Sequence, residues 1–147
     1  MHKFEKDFVF GSATSSYQIE GAPHEDGKTD SIWDEFCKKE GKVKNGDTGN
    51  VACDHYHKYG EDIELMKEIG LESYRLSISW PRIFPKEGKY NPEGMKFYKD
   101  LIKKLKDNGI EPAVTLYHWD LPMWAFKKGG WKNREVIEAL VEYSKKV

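Results

Sequence analysis

Only two cysteines, Cys37 and Cys53, occur in 147 residues, so a disulfide framework is not what holds the fold together. One bridge between them stays open, and a reducing cytoplasm is the simpler setting. Charge of one sign is missing too. The 24 basic and 25 acidic residues leave a net charge of -1, which gives nucleic acid or an anionic membrane surface no field to follow. No apolar run approaches membrane-spanning length. The segment Met1 to Phe10 mixes Lys3, Glu5, Lys6 and Asp7 among its apolar residues, unlike a signal peptide. A glycine-rich phosphate turn is also absent. Gly11 to Ser16 (GSATSS) has neither the glycine spacing of a dinucleotide fingerprint nor the Gly-Lys-Ser/Thr of a phosphate loop. Phosphate cradling is therefore set aside, and with it the open doubly wound sheet. Aromatics are plentiful at 14%, including five Trp. They suit a sugar-stacking site and a large core alike, the core being the more frequent use.

Strand and helix signals alternate three times. Phe8 to Ser15 (FVFGSATS) reads as a buried strand fading into a loop through Gly21, and Gly21 to Cys53 as a long excursion with one helical turn near Ile32, Trp33 and Phe36. A long loop in a compact domain is often functional. Asp54 is placed to cap a helix carrying Tyr56, Tyr59, Ile63, Met66 and Ile69, which Gly70 stops. Ser73 to Trp80 (SYRLSISW) alternates Tyr74, Leu76, Ile78 and Trp80 with Arg75, Ser77 and Ser79, and Pro81 ends it. Asn91-Pro92 opens a helix with Phe97, Tyr98, Leu101, Ile102 and Leu105 on one stripe, closed by Asn108 and Gly109. Pro112 to His118 is the third strand. A loop with Pro122, Gly129 and Gly130 follows, and Asn133 caps a helix carrying Val136, Ile137, Leu140 and Val141. Such alternation implies parallel strands joined by crossovers. The expected architecture is α/β: the first three strand-helix units of a (β/α)8 TIM barrel, residues 1–147 forming the N-terminal part of one domain.

In a barrel the functional side chains gather at the C-terminal strand ends. After the first strand stands Gln18, whose amide both donates to and accepts from neighbouring hydroxyls; its plainer use is to brace a loop. After the third stand His118 and Trp119, an imidazole and an indole NH that both donate while the rings offer apolar faces. A satisfied core histidine is an equally common fate for His118. Arg75 shares parity with Ser77 and Ser79, pointing toward the barrel axis, where a lone guanidinium is expensive. It calls for a carboxylate partner, structural or catalytic. His55 and His57 open a helix, where residues two apart do not share a face, so a metal site there is not favoured.

These segments resemble the N-terminal portion of the family 1 glycoside hydrolases of the β-glucosidase type, from about Phe4 to Val147. The resemblance is carried by GSATSSYQIEGA, EDGKTDSIWDEF, GNVACDHYHKYGEDIELMKEIG, YRLSISWPRIFP, NPEGMKFYKDLIKKL and IEPAVTLYHWDLP, then GGW at Gly129 to Trp131. It implies that Gln18, His118 and Trp119 bind the hydroxyls of the non-reducing sugar, and that Arg75 sits against the nucleophile's carboxylate. The HWDLP form, with Trp119 and Asp120, resembles the enzymes of unphosphorylated glycosides. No cofactor or metal is implied. Members of the family are retaining enzymes whose two glutamates stand about 5–5.5 Å apart. The family's Thr-x-Asn-Glu-Pro and Glu-Asn-Gly motifs that carry them are both missing from this sequence. None of Glu20, Asp34, Glu61, Asp62 or Asp120 matches a catalytic position.

The resemblance therefore predicts part of a retaining β-glycosidase acting on a β-glycoside or oligosaccharide, with both glutamates supplied by a complementary C-terminal barrel portion. As an isolated chain it is expected to be inactive and, with open strand edges, aggregation-prone. A non-catalytic sugar-binding relative or half-barrel is the alternative reading, and a metal-dependent barrel hydrolase a distant third.

Overall fold

The computed structural model describes residues 3–147; Met1 and His2, with which the leader reading and the 1–147 domain begin, lie outside them. Three parallel strands form one sheet in the order β1 (Gly11–Ala13), β2 (Ser73–Ser77), β3 (Glu111–Thr115). Ala13 pairs with Arg75, Arg75 with Ala113, and Ser77 with Thr115. Parallel pairing needs a long return. The chain makes the first return through α3 (His55–Glu68) and the second through α5 (Pro92–Asp107), while α7 (Arg134–Lys146) follows β3. Tyr74, Leu76 and Ile78 pack against Ile63 of α3 and Met95, Phe97, Tyr98, Leu101 and Leu105 of α5 as one core. No helix among the described residues is long and apolar enough to cross a membrane.

The boundaries differ from the sequence reading wherever a polar partner decides them. β1 is shorter than Phe8 to Ser15. The N–H of Phe10 is taken by the Glu72 carboxylate at 2.8 Å, and ladder pairing starts only at Gly11 opposite Ser73. A Cβ at Gly11 would stand 2.8 Å from the Ser73 carbonyl oxygen, so only glycine fits there. Phe4, Phe8 and Phe10 stay exposed and cluster tilted and edge-on to one another, with centroids 4.4–5.1 Å apart. The segment after β1 is not a plain loop. Ser16–Ile19 forms a helical turn, α1.

The excursion holds a fuller helix than one turn, α2 (Ile32–Cys37). Ser31 accepts from the N–H groups of Trp33 and Asp34, and Asp34 returns a bond to the Ser31 N–H at 2.7 Å, a capping box. Asp54 does occupy the N-cap of α3, but its φ of 56° is left-handed. In place of a cap bond, its carboxylate accepts from His57 Nδ1 at 2.6 Å. Ile69, the last of the apolar residues spaced along this helix, is exposed. β2 ends at Ser77, short of Trp80. Pro81, with no N–H to give a ladder, suits the first turn of a helix, and Trp80–Ile83 becomes α4. β3 likewise ends at Thr115, and α6 (Met123–Lys127) fills the loop beyond it. In α7 Asn133 caps as expected, accepting from the Glu135 N–H at 3.0 Å. Val136 and Tyr143 are its buried residues, while Ile137 and Val141 are exposed.

Gly94, in the first turn of α5, lies directly beneath α4. A Cβ there would overlap the Arg82 carbonyl oxygen and stand 2.8 Å from Arg82 Cγ and 2.9 Å from Asn91 Nδ2. Gly→Ala inside a helix ordinarily gains about 1 kcal/mol. Here overpacking against backbone reverses the sign, and Gly94→Ala is expected to cost about 1–3 kcal/mol, read as a lowered melting temperature. An unchanged or raised melting temperature would mean α4 yields freely.

Candidate functional site

The C-terminal ends of β1 and β3 open onto a cleft of about 410 Å³ lined by Ser15, Tyr17, Gln18, Trp33, His118 and Trp119. Three of the four side chains singled out from sequence thus share one cavity, two of them 100 or more residues from the first. α1 supplies Gln18. Ser15 Oγ donates to Gln18 Oε1 at 2.6 Å, so the amide oxygen is engaged and the NH2 group has no partner among the described residues. The loop after β3 supplies His118 and Trp119, whose rings lie 24° from parallel with centroids 6.5 Å apart. Trp119 adopts φ 70°, a conformation costly for a bulky residue, and is 68% exposed. Its exposure is not a core tryptophan's. The cleft therefore presents amide, imidazole and indole donors beside flat aromatic faces, which matches a pyranose: hydroxyls around the edge and C–H groups on the face.

Tyr17 and Trp33 also line the cleft, and sequence reasoning named neither as a site residue. Trp33 is fixed by the capping box at Ser31. The Ser31…Asp34 spacing ahead of an apolar island was the signal that could have placed it. Tyr17 donates to Cys37 Sγ at 3.1 Å and accepts from the Gly49 N–H at 3.3 Å, which ties α1 to α2 and to the end of the excursion. Burial, reinforced by the bond to Cys37, pushes its phenol above the ordinary range. Cys37 and Cys53 are both free thiols.

Arg75 is not brought into the cleft. Its guanidinium donates to the Thr14 carbonyl at 2.8 Å, and no carboxylate among the described residues pairs with it. The fully buried cation is instead Arg82, which donates to Glu20 Oε2 and to the Ala22 and Glu25 carbonyls at 3.3 Å. Tyr98 donates to Glu20 Oε1 at 2.5 Å. Burial opposes the charge on Arg82, but the Glu20 carboxylate beside it outweighs that and raises its pKa. Glu20 is thus committed to the fold just behind Gln18. His55 and His57 do not converge: His55 Nδ1 meets Asp62 at 2.6 Å, and His57 lies between Asp54 and Glu25. A larger cleft of about 610 Å³ runs along α7 beside Trp80, Phe84 and Trp124, under Glu87, Glu135, Glu138 and Glu142. It contains none of the four site candidates, Gln18, Arg75, His118 and Trp119.

The whole chain, residues 1–147, matches the family model for glycosyl hydrolase family 1. It is 61% identical over 142 residues to Beta-glucosidase A of Acetivibrio thermocellus, covering 96% of this chain and 32% of that protein. It is 51% identical to an aryl-phospho-beta-D-glucosidase of Bacillus subtilis, covering 95% of this chain and 30% of that protein. The crystal structure of the GH1 beta-glucosidase from Exiguobacterium antarcticum B7 superposes with a TM-score of 0.96 at 58% identity, over 98% of this chain and 32% of that one. The chain belongs to glycosyl hydrolase family 1. It corresponds to the N-terminal portion of such an enzyme, spanning about a third of the length of these relatives. Its three-stranded parallel sheet fits a partial barrel.

Proposed function

We propose that this chain is the sugar-gripping sector of a retaining β-glycosidase that hydrolyses unphosphorylated β-glucosides. The observation that carries the reading is the convergence of Gln18, His118 and Trp119 on one cleft, their donors unpartnered among the described residues. In this reading Gln18 and His118 hold adjacent hydroxyls of the non-reducing sugar, and Trp119 donates from its indole and walls the face. Two glutamates from the remaining units of the (β/α)8 barrel supply nucleophile and acid/base. Arg75, which lacks a carboxylate here, sits against that nucleophile and keeps it ionised. Binding geometry is thus supplied by one sector and bond cleavage by the other, and the 147-residue chain alone is inactive.

The test joins residues 1–147 to the C-terminal two thirds of the Acetivibrio thermocellus relative. The chimera should hydrolyse p-nitrophenyl β-D-glucoside, and the chain alone should not. Discrimination against the 6-phosphoglucoside is part of the expectation, since one relative's name specifies a phosphorylated substrate. His118→Ala in the chimera should lower kcat/KM about 10- to 100-fold, the scale of one or two hydrogen bonds to a bound hydroxyl. An unchanged kcat/KM would remove His118 from the site. A chimera that binds glucose but never cleaves would mean that this sector grips the sugar without presenting it to the glutamates, against the proposed division of roles.

A further inference from the structure

A relay of three buried side chains joins the C-terminal ends of all three strands. Ser77, the last residue of β2, accepts from the Ser16 N–H at 2.8 Å and donates from Oγ to Ser16 Oγ at 3.3 Å. Ser16 Oγ in turn donates to Asp120 Oδ2 at 2.9 Å. All three residues are at least 97% buried. Their spacing relative to the candidate site is regular. Gln18 stands two residues after Ser16, Arg75 two before Ser77, and His118 and Trp119 two and one before Asp120.

The carboxylate is only half satisfied. Asp120 Oδ1 is buried with no partner among the described residues, a cost that an amide or apolar side chain would reduce. Burial also pushes the carboxyl pKa up and the nearby Glu20 charge adds to it, with the Ser16 bond, the residue's own N–H and the Ser79 hydroxyl opposing. What the carboxylate does provide is a fixed anchor immediately after Trp119. A left-handed tryptophan persists only where its flanks are over-determined. The next residue on the same side is held as well, because the Leu121 carbonyl accepts from the Ile32 N–H at 2.9 Å.

We propose that Asp120, acting through Ser16 and Ser77, is a positioning residue that sets the distance between Gln18 on one wall of the cleft and His118 and Trp119 on the other. The inference rests on the sugar-binding reading of that cleft. Asp120 touches no sugar in this account; it determines whether both walls reach the same ring.

The test uses the protein expressed from its full coding region, with D-glucose as the probe and binding followed by tryptophan fluorescence at a temperature where each variant is folded. Asp120→Ala should weaken glucose binding about tenfold, as expected for a coupling of about 1.4 kcal/mol between contacting groups. Asp120→Asn, whose amide oxygen still accepts from Ser16, should recover most of that loss. Ser16→Ala combined with Asp120→Ala should lose no more than the worse single variant. Additive losses, an Asn variant no better than Ala, or a folded Ala variant within twofold of the parent would overturn the relay. If Asp120→Ala does not melt cooperatively, Ser77→Ala carries the same comparison, because it breaks the relay and leaves the carboxylate in place. A parent protein with no affinity for glucose would overturn the sugar-binding reading and this inference together, whereas a binding parent with unaffected variants overturns the relay alone.

Discussion

Replacing Arg82 by Ala is expected to destabilise the protein by about 3–5 kcal/mol, a large share of the roughly 5–15 kcal/mol of a domain of ordinary stability. The magnitude follows from what would be left behind. Glu20 is 4% exposed and would keep only the Tyr98 hydroxyl, so a carboxylate desolvated by folding would lose its counter-charge. The Ala22 and Glu25 carbonyls would lose a donor as well, and Tyr56 would lose the guanidinium that sits 4.1 Å over its ring. Exposed pairs offer a contrast. Lys103 with Asp107, both largely solvent-facing, is screened by water and adds little to stability. The double variant Glu20→Gln with Arg82→Met should recover a substantial part of the loss, because removing both charges removes the orphan. Denaturant unfolding would measure both. A single Arg82→Ala variant losing under about 1 kcal/mol would mean that water already reaches Glu20. Glu20 ends α1, so the same variant should also loosen the turn that carries Gln18.

The arginines show where sequence reasoning ran out. The alternation of SYRLSISW makes Arg75 a costly inward charge, and Tyr74, Leu76 and Ile78 do join the core, although Ser77 and Ser79 of the opposite parity are buried too. Alternation, however, was extended to Trp80, and the strand stops at Ser77. Once the chain turns into α4, a period of two no longer applies. Arg82 then swings inward to a partner 62 residues away in sequence. No local pattern announces such a pair. Asp54 fails differently: the residue type and position of a cap are right, but a left-handed backbone redirects its carboxylate to His57. α5 was legible almost to the residue because its signals are all local: Pro92 at the start, a stripe at three- and four-residue spacing, and Asn108-Gly109 at the end. The convergence of Gln18 with His118 and Trp119 was legible only through barrel topology, which sends the ends of parallel strands to one face. Trp33 needed the capping box that fixes α2, a signal present in the sequence but weaker than the strand pattern around it.

Trp80→Ala should produce a loss of comparable size by a different route. Trp80 is 0% exposed and stacks on Tyr143 with centroids 5.3 Å apart at 24°, with Trp124 edge-on at 5.7 Å and Trp131 tilted at 6.1 Å. Large-to-small changes at such sites cost about 3–5 kcal/mol, the transfer of the side chain plus the void it leaves. The neighbouring cleft of about 610 Å³ gives the void a way to collapse or fill with water, which argues for the lower end, about 3 kcal/mol. The damage should spread along one path. The single Tyr143 hydroxyl proton is donated to the Leu116 carbonyl at 2.6 Å and shared more weakly with the Ile78 carbonyl at 3.3 Å, so it fastens α7 to the segments leaving β2 and β3. Without Trp80 beneath it, that clamp loses its seat. Trp80→Phe, which keeps a ring against Tyr143, should cost about half as much. Hydrogen exchange would distinguish local from global effects: in Trp80→Ala the α7 amides should lose protection before those of α5, because α5 is buried against β2 by its own stripe and does not depend on Tyr143. Equal loss of protection in both helices would show instead that Trp80 is part of one indivisible core.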